Sequence, residues 1–154
     1  MKRAVSYLLF VLLCLGVGYL SSFLQACSLE AWYPMLVKSP FTPSPAVFPV
    51  VWFVLYLLMG VVAAMVWNNP SIYSRLLFTL FLSQLLLNVV WSYCFFYMQS
   101  PLMGLVVILV LLMLALMYVA ACFVVSRLCG WLMMPYLLWL FFATYLNAYI
   151  AVSN

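Results

Sequence analysis

The chain has 154 residues, of which 72% are hydrophobic and 4% charged: five Lys or Arg, one acidic residue and no His, for a formal net charge of +4. Soluble domains carry roughly a quarter charged residues and about half apolar ones, so this composition excludes a soluble globular enzyme, a disordered chain and a nucleic-acid binder. Without His there is no Ser–His or Cys–His pair, and with Glu30 as the lone carboxylate side chain no acid/base carboxylate pair exists within one chain.

What remains is an all-α integral membrane protein, a five-transmembrane-helix bundle that forms one domain over residues 1–154. A spanning helix needs about 20 mostly apolar residues, and long apolar runs without period-two alternation argue against a β-barrel. The first span is predicted at 4–24 and a long connection follows at 25–46; the other spans are predicted at 47–67, 73–97, 102–125 and 128–152. Asn68-Asn69-Pro70-Ser71, Gln99-Ser100-Pro101 and Ser126-Arg127 are tight breaks between antiparallel neighbours. The long connection carries Pro34, Pro40, Pro43 and Pro45, and a long connection in a compact domain is often functional. Pro49 suits the first turn of span two, whereas Pro135 removes a hydrogen bond inside span five.

Lys2-Arg3, an apolar run and then Leu24-Gln25-Ala26-Cys27 also look like a signal peptide, even a lipoprotein signal, whose removal would leave four spans. Gln25 suits a signal cleavage site poorly, so an anchor helix is the preferred reading. Lys2, Arg3, Arg75 and Arg127 fall on one side of the membrane and Lys38 alone on the other. The positive-inside rule then sets the N-terminus in the cytoplasm and the long loop outside, with a bacterial inner membrane expected.

Three spans carry mixed stripes of aromatic, small and amide residues at helical spacing: Trp52, Tyr56, Met59 and Ala63; Gln84, Asn88, Trp91 and Phe95; Tyr136, Trp139, Ala143 and Asn147. Polar side chains inside a membrane turn inward. If the stripes face one another they enclose a cavity for a large, flat, mostly apolar ligand, with Trp32 and Tyr33 of the loop as its lid. Plain packing of aromatic side chains, or an interfacial anchor in the case of the loop pair, fits the same stripes. The five Cys have no C-x-x-C pair and read as apolar filler, with no metal site expected. Gly60-x-x-x-Ala64 and Thr79-x-x-x-Ser83 are small-residue patterns that let helices approach closely.

Four segments resemble the TspO family, the translocator proteins or tryptophan-rich sensory proteins, once called peripheral-type benzodiazepine receptors. Trp32-Tyr33 and then Lys38-Ser39-Pro40-Phe41-Thr42-Pro43 are similar to its loop W-Y and K-P-S-W-x-P-P. Val51-Trp52, Leu55-Tyr56 and Met59-Gly60 are similar to its V-W-x-x-L-Y-x-x-M-G. Gln84-Leu85, Leu87-Asn88, Trp91 and Phe95-Phe96 follow its Q-L-x-L-N-x-x-W and F-F, and Pro135-Tyr136-Leu137, Trp139, Phe142-Ala143 and Leu146-Asn147 its P-Y-L-x-W-x-x-F-A-x-x-L-N. The resemblance implies a homodimeric five-helix bundle with a pocket under the first loop. It implies porphyrin as ligand, with no tightly bound cofactor, and benzodiazepine-type or isoquinoline small molecules as further partners beside the lipid bilayer. The ligand-binding residues it implies are Trp32, Tyr33, Trp52, Tyr56, Asn88, Trp91, Trp139, Phe142 and Ala143. Trp52 and Trp139 match the tryptophans implicated in light- and oxygen-dependent porphyrin degradation. A metal-free ring is expected rather than haem, whose iron would lack a His ligand. Lys38 or loop N–H groups are expected to meet the ring's carboxylates.

Some positions depart from the family pattern. Val107 stands where many members carry an acid, Phe41 replaces the loop Trp, Ser44 a proline, Ala46 a Trp, and Pro49-Val50 a Gly-Pro. The leading expectation is a receptor or sensor for porphyrins, with light- and oxygen-dependent degradation of the ring left open as a further activity. A transporter of porphyrin or another small hydrophobic molecule is the alternative, although intramembrane carboxylates and an inverted repeat are missing. A regulatory partner of another membrane protein is the third.

Overall fold

The computed structural model describes residues 2–154. Five helices follow in order: α1 (Lys2–Ala31), α2 (Val47–Asn68), α3 (Ser74–Ser92), α4 (Pro101–Val125) and α5 (Arg127–Ser153). A 3-10 turn at Tyr33–Met35 begins the first connection, and a π turn at Tyr93–Tyr97 prolongs α3. With that turn included, every helix has 22 to 30 residues and is apolar enough to cross a membrane. At 1.5 Å per residue this is about 33–45 Å of helix, against roughly 30 Å of hydrocarbon. No strand occurs among the described residues.

The ends follow from local chemistry. The Ser100 side chain accepts a hydrogen bond from the Met103 N–H, and Pro101 opens α4 where a missing N–H costs nothing. The π turn closes with Met98 N–H bonded to Tyr93 O at 2.9 Å, and Gln99 then takes a left-handed φ of 52° to reverse the chain. Pro135 lies within α5 without ending it.

One boundary departs clearly from expectation. α1 does not stop near Leu24 but continues through Gln25, Ala26 and Cys27 to Ala31, so the first connection shortens to 32–46. Its polar residues there find partners instead of breaking the helix. Gln25 Nε2 donates to Ser92 Oγ at 2.9 Å, and Ser28 Oγ donates to Phe96 O at 2.6 Å.

The helices form a ring in the order α1, α2, α5, α4, α3, closing back on α1. α4 packs extensively on α5 and α1 on α2, whereas α2 and α5 meet lightly. Between lipid-soaked helices, close packing and hydrogen bonds replace the hydrophobic effect as the driving force. α1 accordingly buries only small residues: Ser6, Cys14, Ser21 and Ser28. Gly60 is pressed so tightly on α1 that a Cβ there would stand 2.6 Å from Val11 Cα. Ala64 is buried one turn further on, so Gly60-x-x-x-Ala64 serves the α1/α2 contact within one chain. At the N-terminal end of the bundle, Asn68 Nδ2 donates to Ser6 Oγ at 2.8 Å. At the opposite, loop end, the first connection lies against the end of α5.

Candidate functional site

The loop end is closed by a lid with three fastenings. Lys38 Nζ donates to the carbonyls of Tyr33, Pro34 and Leu36 at 2.9, 3.2 and 2.9 Å and sits 5.0 Å from the Tyr33 ring centroid. An ammonium has three N–H donors. All are engaged, so Lys38 staples the turn. Ser39 Oγ and Tyr145 OH are 2.9 Å apart. Asn154 accepts from Val37 N–H at 2.9 Å and donates back to Val37 O at 3.2 Å. Burial pushes the Tyr33 phenol above its usual range and keeps it neutral.

Beneath the lid lies an aromatic plug. Trp32 packs edge-on to Phe95 at 5.7 Å, and Tyr33 lies 5.8 Å from Phe96. The π turn adds a residue to the helical repeat and brings both Phe95 and Phe96 inside, 2% and 7% exposed. Trp91 stacks on Phe95 at 5.4 Å and donates its Nε1 hydrogen to Asn147 Oδ1 at 3.0 Å. Asn147 Nδ2 in turn donates to Pro101 O at 2.8 Å, tying α3, α4 and α5 together.

Deeper in the bundle, Asn88 Nδ2 donates to Gln84 O at 2.9 Å and to Tyr136 OH at 3.2 Å. The Asn88 and Gln84 side-chain oxygens are buried with no partner among the described residues. Trp52 is half-buried, 5.6 Å from the buried Tyr56 ring, which rests on Gly18. Ala143 is buried in the same core.

An open space lies at the lightly packed α2/α5 seam. There a groove of about 480 Å³ is lined by Val50, Val51, Val54 and Leu55 of α2 and by Pro135, Leu138, Trp139 and Phe142 of α5. Small-molecule sites occupy about 300–1,000 Å³. Phe48 meets Trp139 edge-on at 5.8 Å, and Phe142 does so at 5.6 Å. The Trp139 Nε1 hydrogen is buried and finds no acceptor among the described residues. A buried N–H without a partner costs about 1–3 kcal/mol.

The TspO/MBR family matches residues 10–152. This chain belongs to that family. It is 37% identical to the tryptophan-rich protein TspO of Chlorobaculum tepidum over 157 residues, which covers 99% of the chain and 98% of the relative. The TspO of Archaeoglobus fulgidus is 35% identical over 94% of each chain. The tryptophan-rich sensory protein of Cereibacter sphaeroides is 32% identical over 82% of this chain and 85% of its own.

In this TspO/MBR member the expected site residues fall into three places. Trp32, Tyr33 and Trp91 build the plug; Trp52, Tyr56, Asn88 and Ala143 lie in or against the core; Trp139 and Phe142 line the groove. Phe48 and the lid partners Tyr145 and Asn154 carry no local signature and were not among the residues read from the sequence. Only long-range contacts reveal them. Two of the departures have visible contacts. Phe41 leans on Tyr145 at 6.5 Å, and Ser44 O accepts the Val47 N–H at 3.0 Å, where α2 starts.

Proposed function

We propose that this integral membrane protein is a receptor or sensor whose α2/α5 groove takes a flat apolar ligand of the porphyrin class. The unpaired, buried Trp139 N–H on an aromatic wall carries this reading. A turn of the indole would present that hydrogen, which lies beneath the groove surface, to a ring nitrogen or carboxylate oxygen of the ligand, while the macrocycle packs on Trp139, Phe142 and Phe48. The "sensory" name of the Cereibacter relative supports the receptor side of the reading. Light-driven oxidation of the bound ring belongs to the same reading, because it needs no acid, base or His. Lys2, Arg3, Arg75 and Arg127 all belong to the N-terminal end, which supports a cytoplasmic N-terminus in a bacterial inner membrane. A homodimer is part of the proposal, with an interface other than the Gly60 face that α1 already covers.

The test is metal-free protoporphyrin binding in the dark to wild type and to Trp139→Phe, which keeps the ring and removes the N–H. Loss of one buried hydrogen bond of about 1 kcal/mol predicts roughly a five-fold weaker Kd. An unchanged Kd removes the N–H from the account. Ion-gradient-dependent flux into proteoliposomes would favour a carrier over a receptor.

A further inference from the structure

We propose a second, lipid-specific site at the opposite end of the bundle: an anionic glycerophospholipid with one acyl chain in a slot between α2 and α3 and its phosphate at Arg75. The slot has about 290 Å³ and is lined by Val66, Trp67, Pro70, Ser74, Arg75 and Phe78. Its walls are aromatic. Trp67 and Phe78 meet edge-on at 5.5 Å, and Phe10 of α1 backs both rings at 5.8 Å. Trp67 nonetheless remains 60% exposed, which suits an indole at the headgroup boundary.

Charge decides the occupant. Arg75 is the second residue of α3, at the rim of this slot, and Lys2 and Arg3 begin α1 at the same end. Glu30 is the chain's one Asp or Glu, and it lies in the last turn of α1. A rise of 1.5 Å per residue separates it from Arg3 by about 40 Å. No carboxylate side chain of this protein therefore reaches Arg75, whose exposed guanidinium makes no side-chain hydrogen bond or ion pair among the described residues and is free for an external anion. If Trp67 marks the headgroup boundary, lipid phosphates are the anions beside this slot, and the start of α3 adds its own preference for negative charge. The apolar slot beside the guanidinium selects a lipid over a free anion, because only a lipid fills both. This site is independent of the α2/α5 groove.

The test reconstitutes the protein in phosphatidylcholine vesicles containing a minor fraction of bromine-labelled phosphatidylglycerol, or the same fraction of bromine-labelled phosphatidylcholine. Quenching of the Trp67 component is read as the difference from Trp67→Phe. Phosphatidylglycerol is expected to quench with about five-fold higher apparent affinity, the contribution of one cation near a membrane surface. Arg75→Gln should abolish the preference, while Arg127→Gln, at the same end but outside the slot, should keep it. Should Arg75→Gln fail to fold, Arg75→Lys should retain the preference and high salt should erode it. Equal quenching by both lipids, a preference that survives Arg75→Gln, or one that salt leaves untouched would overturn the assignment. So would displacement by soluble glycerol phosphate, which would make the site one for a free anion.

Discussion

Asn147→Ala is expected to destabilise the bundle by about 2–3 kcal/mol, far more than its small loss of volume implies. The side chain is 2% exposed and makes two bonds between helices, accepting from Trp91 Nε1 at 3.0 Å and donating to Pro101 O at 2.8 Å. Interhelical hydrogen bonds in membranes are worth about 0.6–2 kcal/mol each. Removing the acceptor also leaves the Trp91 N–H unpaired in a partly buried position, at a cost of about 1 kcal/mol or more. The Pro101 carbonyl loses less, since it opens α4 and has a helical partner as well. The assay is reversible unfolding in mixed micelles with rising dodecyl sulfate, run as a double-mutant cycle with Trp91→Phe, which removes the donor. In the Trp91→Phe background, Asn147→Ala should cost about 1 kcal/mol less than in wild type, beyond the ~0.3–0.5 kcal/mol scatter of independent sites. Additive effects, or a total cost below about 0.5 kcal/mol, would refute the idea that this bridge joins the three helices.

Gly60→Ala should cost about 1–3 kcal/mol in the same assay, because the new methyl meets Val11 backbone at 2.6 Å. Gly16→Ala, with nothing within 4 Å, should be neutral or stabilising by up to ~1 kcal/mol. Tyr145→Phe deletes the 2.9 Å contact to Ser39 and should speed hydrogen exchange across the neighbouring lid about two- to ten-fold, leaving α3 and α4 unaffected. Lys38→Met frees three carbonyls of the turn and should expose residues 33–38 to proteolysis, while porphyrin affinity changes less than with Trp139→Phe.

The spans were legible because hydropathy and the Asn-Pro and Ser-Pro breakers speak locally, and the helices observed differ chiefly at the end of α1. Gln25, Ser28 and Glu30 read as loop, but tertiary partners at Ser92 and Phe96 O satisfy the first two and let the helix run on. The inward faces of the stripes were also legible, since Tyr56, Gln84, Asn88, Tyr136 and Asn147 are buried, but the groove is not the cavity expected between the stripes: of their residues only Trp139 lines it. What periodicity does not encode is which seam of the ring stays open. The tight α1/α2 contact depends on Gly60 meeting Val11, and the light α2/α5 contact is what leaves Trp139 at a groove. Lys38 shows the same limit. Its charge is legible in the sequence, but the three carbonyls that it staples are not.

Ligand binding in the aromatic groove at Trp139 underlies the proposed function. Its most direct test is titration of purified protein with metal-free protoporphyrin in the dark, followed by light and oxygen, with absorbance and tryptophan emission recorded for wild type and for the Trp52→Phe/Trp139→Phe double variant. Saturable dark quenching is expected to weaken at least several-fold in the variant, with light-driven loss of the porphyrin spectrum confined to wild type. Binding of equal strength in both proteins, or none in wild type, would contradict it.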